Sequence, residues 1–221
     1  VSDDAGNKSN QLSVNSFTID TVAPYISDFS MVSNNANNNS LAKAGDNLTL
    51  SFNSSELIDN SSTVIFYGKT FIPTAQENPY TVSYTMLDND TEGIVTFSIK
   101  ITDLAENTYQ ATMDNTSVTF DRTAPVLSSV SFRSSNCNVR GAKVDDNATL
   151  SVTASEPLLE NSVSITLNNE SKTPAFAGTT GALTSHDTLT ASYTFSSSDN
   201  EGSIGFRINF SDPAGNTGTD N

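Results

Sequence analysis

Residues 42–58 read AKAGDNLTLSFNSSELI, and residues 142–158 read AKVDDNATLSVTASEPL. Inside the first of these, Leu48, Leu50 and Phe52 alternate with Thr49, Ser51 and Asn53. A period of two marks a strand with one face in a core and the other in water. The return of the whole segment makes that strand part of a repeated unit.

The repeat extends in both directions. Asp20-Thr21-Val22-Ala23-Pro24 returns as Asp121-Arg122-Thr123-Ala124-Pro125, and residues 92–107 (EGIVTFSIKITDLAEN) return as residues 201–216 (EGSIGFRINFSDPAGN). The second copy carries extra residues before that last match. They fall in 172–186, KTPAFAGTTGALTSH, a Gly/Thr/Ser-rich stretch that reads as a loop. Ile94, Phe97, Ile99 and Ile101 mark a further strand, with Val95 a slip near its start, and Ile204, Phe206, Ile208 and Phe210 mark its counterpart. Strands are expected near 25–33, 47–54, 63–68, 80–87, 94–102 and 108–120, then near 126–134, 147–154, 162–168, 188–196 and 203–211. Nothing in the chain has helical periodicity. Short strands between turn signals read as all-β, in two tandem immunoglobulin-like β-sandwich domains plus an orphan N-terminal strand. The 221 residues suit two such domains at roughly 100 residues each. The expected boundaries are 1–20 for a strand-G-like segment, 21–121 for the first domain and 122–221 for the second, which lacks a strand G of its own. With no Trp and a single Cys, these are not antibody-type domains.

The D-x-x-A-P linkers at 20–24 and 121–125, the A-x-x-x-D-N-x-x-L-S-x-x-x-S-E segments at 42–56 and 142–156, the E-G-x-x-x-F strand and the closing D-x-A-G-N turn (Asp212 to Asn216) together resemble the bacterial Ig-like repeats of large surface adhesins. The resemblance covers nearly the whole chain. It implies an extracellular or cell-surface stalk, with calcium bound between domains to stiffen it. Glu106 departs from the pattern, because the turn usually has Gly there, where positive φ is cheap.

Composition narrows the function. Asp and Glu number 25 against 10 Lys and Arg, a net charge of -15. That argues against nucleic acid or an anionic membrane as partner and suits a surface that repels its neighbours or binds cations. No apolar run is long enough to span a bilayer, so no membrane insertion is expected in this segment. Cys137 is the only cysteine, which rules out an intrachain disulfide. Catalysis finds no support: the only histidine, His186, sits in the Gly/Thr/Ser stretch without a nucleophile-elbow sequence to partner it, and no P-loop, paired-Cys or His-x-x-x-His motif occurs. The chain is therefore read as a non-enzyme.

Two sets of residues remain as candidate sites. In an immunoglobulin topology Asp20 at the start of the domain, Glu56 at the end of strand B and Asp103 at the F–G turn converge. Asp121, Glu156 and Asp212 repeat the set. Calcium takes six to eight oxygens from carboxylates, carbonyls and water, and Asn107 and Asn216 are placed to add more. The alternative is that each Asp caps its own turn and each Glu is solvated. The second set is ten N-x-Ser/Thr sequons, at Asn7, Asn38, Asn47, Asn53, Asn60, Asn89, Asn115, Asn147, Asn169 and Asn209. In a Ser/Thr-rich chain most of these arise by chance, so placement carries more weight than number. Asn47, Asn53, Asn147 and Asn209 fall on the outward phase of their strands, where an N-linked glycan is tolerable.

Residues 1–20 match 101–121, the F–G turn and strand G of the first repeat. Leu12, Val14, Phe17 and Ile19 give this segment an apolar face. It reads either as the end of a preceding repeat or as a strand donated to another subunit, filling the strand-G slot of the second domain beside 203–211. The expected function is a structural subunit of an extracellular filament or stalk, with copies of itself as head-to-tail partners, assembled by β-strand complementation or as part of a tandem array. The alternative is an adhesin or glycan-binding module that uses loops such as 34–40 or 172–186.

Overall fold

The computed structural model describes residues 4–8, 18–74, 77–113, 118–177 and 185–218. The chain is all-β, consistent with β-sandwich architecture, and no α-helix occurs among the described residues. Among the described residues no helix is long and apolar enough to cross a membrane.

The first repeat forms β1 (Ile26–Ser33), β2 (Leu41–Ala42), β3 (Asn47–Ser54), β4 (Thr63–Phe66), β5 (Lys69–Phe71), β6 (Tyr80–Thr85), β7 (Gly93–Ile94), β8 (Phe97–Thr102), β9 (Thr108–Met113) and β10 (Thr119–Phe120). One sheet runs β1-β3-β6, a second runs β5-β4-β8-β9, and a short third runs β2-β10-β7. The alternation in β3 works as its sequence predicts: Leu48, Leu50 and Phe52 are buried, and the residues between them are partly exposed. Side chains of both larger sheets meet in one apolar cluster. Phe66 of β4 stacks on Tyr84 of β6 at 5.6 Å, and Phe29 of β1 meets Phe97 of β8 edge-on at 5.7 Å.

The expected single strand over 108–120 is in fact two. β9 extends the β8 sheet, whereas β10 leaves it and lies between β2, to which it is parallel, and β7, to which it is antiparallel. Thr119 N–H donates to the Ser40 carbonyl at 3.0 Å, Asp121 N–H to that of Ala42 at 2.8 Å, and Val95 N–H to that of Val118 at 2.9 Å. This switch carries Val118 and Phe120 into the core, fully buried. The strand expected over 94–102 likewise divides at 95–96, where the chain passes from the β10 sheet to the β9 sheet.

The second repeat forms β11 (Leu127–Ser134), β12 (Asn147–Leu159), a 3-10 turn (Glu160–Ser162), β13 (Ser164–Leu167), β14 (Glu170–Lys172), β15 (Ala175–Phe176), β16 (Ser185–Thr194) and β17 (Phe206–Asn209). Its sheets are β11-β12-β16-β15 and β14-β13-β17, around a separate cluster built on Leu150, Val152, Leu158 and Leu189. β12 runs five residues beyond the expected end at 154, because Leu158 and Leu159 pair with His186 and Ser185 beyond a bulge. His186, expected in a loop, therefore lies in β16, one residue from its start. Among the described residues no strand corresponds to β10, and the counterparts of β2 and β7 are not strands.

Glu106 has φ 69°, at the position where Gly6 and Gly215 have φ 81° and 87°. The first repeat therefore keeps the same turn with a residue that finds it strained, at about 1–2 kcal/mol.

Candidate functional site

Each repeat places an Asp just past its F-like strand, Asp103 directly after β8 and Asp212 three residues beyond β17, and local hydrogen bonds hold it there. Asp103 Oδ1 accepts from the backbone N–H of Ala105 and of Asn107, both at 2.8 Å, and its Oδ2 accepts from Asn107 Nδ2 at 2.9 Å. Asp212 Oδ1 accepts from Asn216 N–H at 2.9 Å, and its Oδ2 from Asn216 Nδ2 at 2.7 Å. The same asparagine amides also reach the linkers, donating to the carbonyls of Asp20 (3.3 Å) and Asp121 (3.0 Å). Turn-capping and convergence are thus compatible: the cap that holds the Asp also ties the linker beside it.

The result is two equivalent acidic clusters. One carboxylate oxygen from each of Asp20, Glu56 and Asp103 lies within 4.8 Å of the others, and the same holds for Asp121, Glu156 and Asp212. Asp103 and Asp212 are buried, at 1% and 0% exposure. All six residues expected from sequence are brought together in their two sets. Glu156 Oε1 is buried and has no hydrogen-bond partner among the described residues, and an unpaired buried carboxylate oxygen is costly.

The electrostatics follow from this crowding. The Glu156 carboxyl is pushed up to about 7, first by burial, then by the charges of Asp121, Asp212 and Glu92. Glu56 is raised by burial and by Asp20 and Asp103. Asp121 is raised by burial and then by Asp212, against a hydrogen bond from Thr123. Burial also works upward on Asp103, but its bonds from Asn107 and Ala105 outweigh it and hold it low. A carboxyl raised in the folded chain above its ordinary 4.5 holds its proton more tightly folded than unfolded. Its stabilising contribution is complete below about pH 4.5 and is lost as pH rises through about 7. In chelator, the melting temperature of the chain is therefore expected to fall between pH 5 and 8, and Glu156→Gln to flatten that slope. Thermal melts at half-unit pH steps check this, and an equal slope in both proteins counts against it.

Sequence reasoning missed Glu92, whose charge acts on Glu156 and Asp121 beside it. Its Oε1 accepts from Arg122 N–H at 2.9 Å and Thr123 Oγ1 at 2.7 Å, and Arg122 bonds the Asp88 carbonyl. The recurring E-G pair was legible only as a strand motif. Also missed was the contact between the repeats. Asn35 Nδ2 donates to the Ala214 carbonyl at 2.8 Å, Asn37 Nδ2 to that of Pro213 at 3.4 Å, and Lys43 Nζ to that of Gly215 at 2.7 Å. The 34–40 loop, considered as a binding loop, thus receives the second repeat's turn.

Of the sequons, Asn7, Asn38, Asn60, Asn89, Asn147, Asn169 and Asn209 are exposed, and Asn47 and Asn53 half-buried; Asn115 lies outside the described residues. Asn209 Nδ2 donates to Ser164 Oγ at 3.0 Å. Cys137 is exposed and unbridged. Leu12, Val14 and Phe17 lie outside the described residues, and Ile19 is 79% exposed.

No protein-family model matches the chain, and no curated protein matches it.

Proposed function

We propose that this chain is a non-catalytic structural segment of an extracellular, cell-surface filament or stalk, built from tandem immunoglobulin-like domains whose junctions are braced by calcium. The observation that carries the reading is the cluster of Asp121, Glu156 and Asp212, one carboxylate from the linker and two from the second repeat, beside the contact of Asn35 and Lys43 with the turn 213–215. The strand order of the first repeat, β1-β3-β6 against β5-β4-β8-β9, supports the immunoglobulin-like assignment. A cation at the junction offsets like charges that otherwise repel, and so favours one relative placement of the two domains. Small-angle scattering tests this. With millimolar calcium the distribution of interatomic distances sharpens, and with chelator it broadens; identical curves in both conditions refute calcium bracing.

The exposed sequons, among them Asn147 and Asn209 of those expected on the outward phase of their strands, are the positions where an N-linked glycan is tolerable. Protein from a host that attaches N-glycans is expected to lose mass on glycosidase treatment. An intact mass equal to the bare polypeptide counts against it.

A further inference from the structure

We propose that Glu92 is the positioning residue of the second junction: from the first repeat it holds the linker so that Asp121 stands against Glu156 and Asp212, and it thereby couples cation binding to the docking of the two repeats. This rests on the reading of that junction as a calcium site and names what regulates it.

The place of Glu92 follows from strand register. β7 and β10 are antiparallel, with Ile94 opposite Thr119 and Gly93 opposite Phe120. The next position along the same register sets Glu92 opposite Asp121. Gly93 has φ 116°, a backbone conformation that residues with a Cβ rarely adopt, and nothing lies within 4 Å of the place a Cβ would take. The glycine therefore serves the backbone and not the packing. The E-G pair is in this sense a device for presenting a carboxylate to the linker.

The carboxylate is used there. Glu92 Oε1 accepts from Arg122 N–H at 2.9 Å and from Thr123 Oγ1 at 2.7 Å, the two residues that follow Asp121. The Arg122 guanidinium donates to the Asp88 carbonyl, so the linker side chain returns to the loop that precedes Glu92. Asp121 N–H donates to the Ala42 carbonyl at 2.8 Å. All of these partners belong to the first repeat. From the second repeat, Asn216 Nδ2 donates to the Asp121 carbonyl at 3.0 Å. Asp121 is thus delivered on backbone that the first repeat fixes, whereas Glu156 and Asp212 are carried by the second. One carboxylate oxygen from each lies within 4.8 Å of the others.

A cation that takes ligands from both repeats binds best when they already stand in place, because ordering a free segment lowers affinity. Linkage makes the effect reciprocal: what holds Asp121 in place strengthens cation binding, and the cation strengthens the hold. Glu92 also acts through space, since its charge bears on Glu156 and Asp121. The two contributions are separable. Glu92→Gln keeps an oxygen that accepts both bonds and loses the charge, whereas Glu92→Ala loses both.

The test is calcium titration calorimetry of the full 221-residue chain, in a Glu56→Gln background that removes a carboxylate from the first cluster, together with amide hydrogen exchange at Arg122. Glu92→Ala is expected to weaken calcium binding about tenfold, the low end of what losing an orienting partner does to a metal site. Glu92→Gln is expected to weaken it only about twofold at about 0.15 M salt, where the charge is screened. Thr123→Val, which loses one bond without a change of charge, falls between them. In chelator the Arg122 amide exchanges faster in Glu92→Ala, while the Thr119 amide, bonded to the Ser40 carbonyl inside the first repeat, is unchanged. Wild-type affinity in Glu92→Ala, an equal loss in Glu92→Gln, or unaltered exchange at Arg122 overturns the proposal. Absence of calcium uptake by the chain with Glu92 intact defeats calcium bracing and with it the coupling, and the exchange at Arg122 then still decides whether Glu92 holds the linker.

Discussion

Free calcium at a hundredfold excess over its dissociation constant is expected to stabilise the second junction by about 2.7 kcal/mol relative to chelator. For a domain of this size that is about 10–20 °C in melting temperature. The reason lies in the three carboxylates of Asp121, Glu156 and Asp212, with oxygens within 4.8 Å and one oxygen of Glu156 buried without a partner. Without a cation the folded chain relieves this repulsion by protonating Glu156, whose carboxyl is raised to about 7. With a cation the same three oxygens become ligands, and calcium displaces the proton. Glu156→Gln separates the two effects by sign. It should raise the melting temperature in chelator at pH 8, because a repelling charge is gone, and remove most of the calcium response of the second domain. Differential scanning calorimetry in both conditions reads both arms. A wild-type melt indifferent to calcium, together with no bound metal by elemental analysis, defeats the prediction.

Phe120→Ala is expected to cost about 3–5 kcal/mol, enough to unfold much of the first repeat at ambient temperature, while Ile19→Ala leaves stability within about 0.5 kcal/mol. Phe120 is 1% exposed in a cluster with Val118 and Val95, and removing its ring leaves a cavity that the paired β2 and β7 cannot close. Ile19 occupies the equivalent place in its own motif yet is 79% exposed, so its truncation removes little buried surface. Urea denaturation of the two variants decides the matter: comparable losses would show that residues 17–20 lie in a core of the same chain.

Much of the architecture was readable in the linear pattern. A strand's side chains alternate by covalent geometry, so Leu48-x-Leu50-x-Phe52 had to put one face inside whatever it packed against. The recurrence of Asp20, Glu56 and Asp103 as Asp121, Glu156 and Asp212 located both acidic clusters, because a repeated motif in a repeated fold returns to the same place. The ends of elements were less legible. β12 continues past the expected stop only because β16 offers pairing partners across a bulge, which is a long-range fact.

By itself, the sequence determined the all-β class, the repeat and the members of the two acidic clusters, since each depends on local periodicity or on matching segments. The tertiary structure alone decided that the 108–120 stretch divides between two sheets. The division depends on β2 and β7 offering unpaired edges on either side of β10. It alone showed that the charge of Glu92 bears on the second cluster and that the 34–40 loop grips the turn 213–215, since these residues lie far apart along the chain and meet only when the two repeats dock. It alone distinguished Ile19 from Phe120. The two share a motif, and what differs is whether β-strand edges and a core stand beside them.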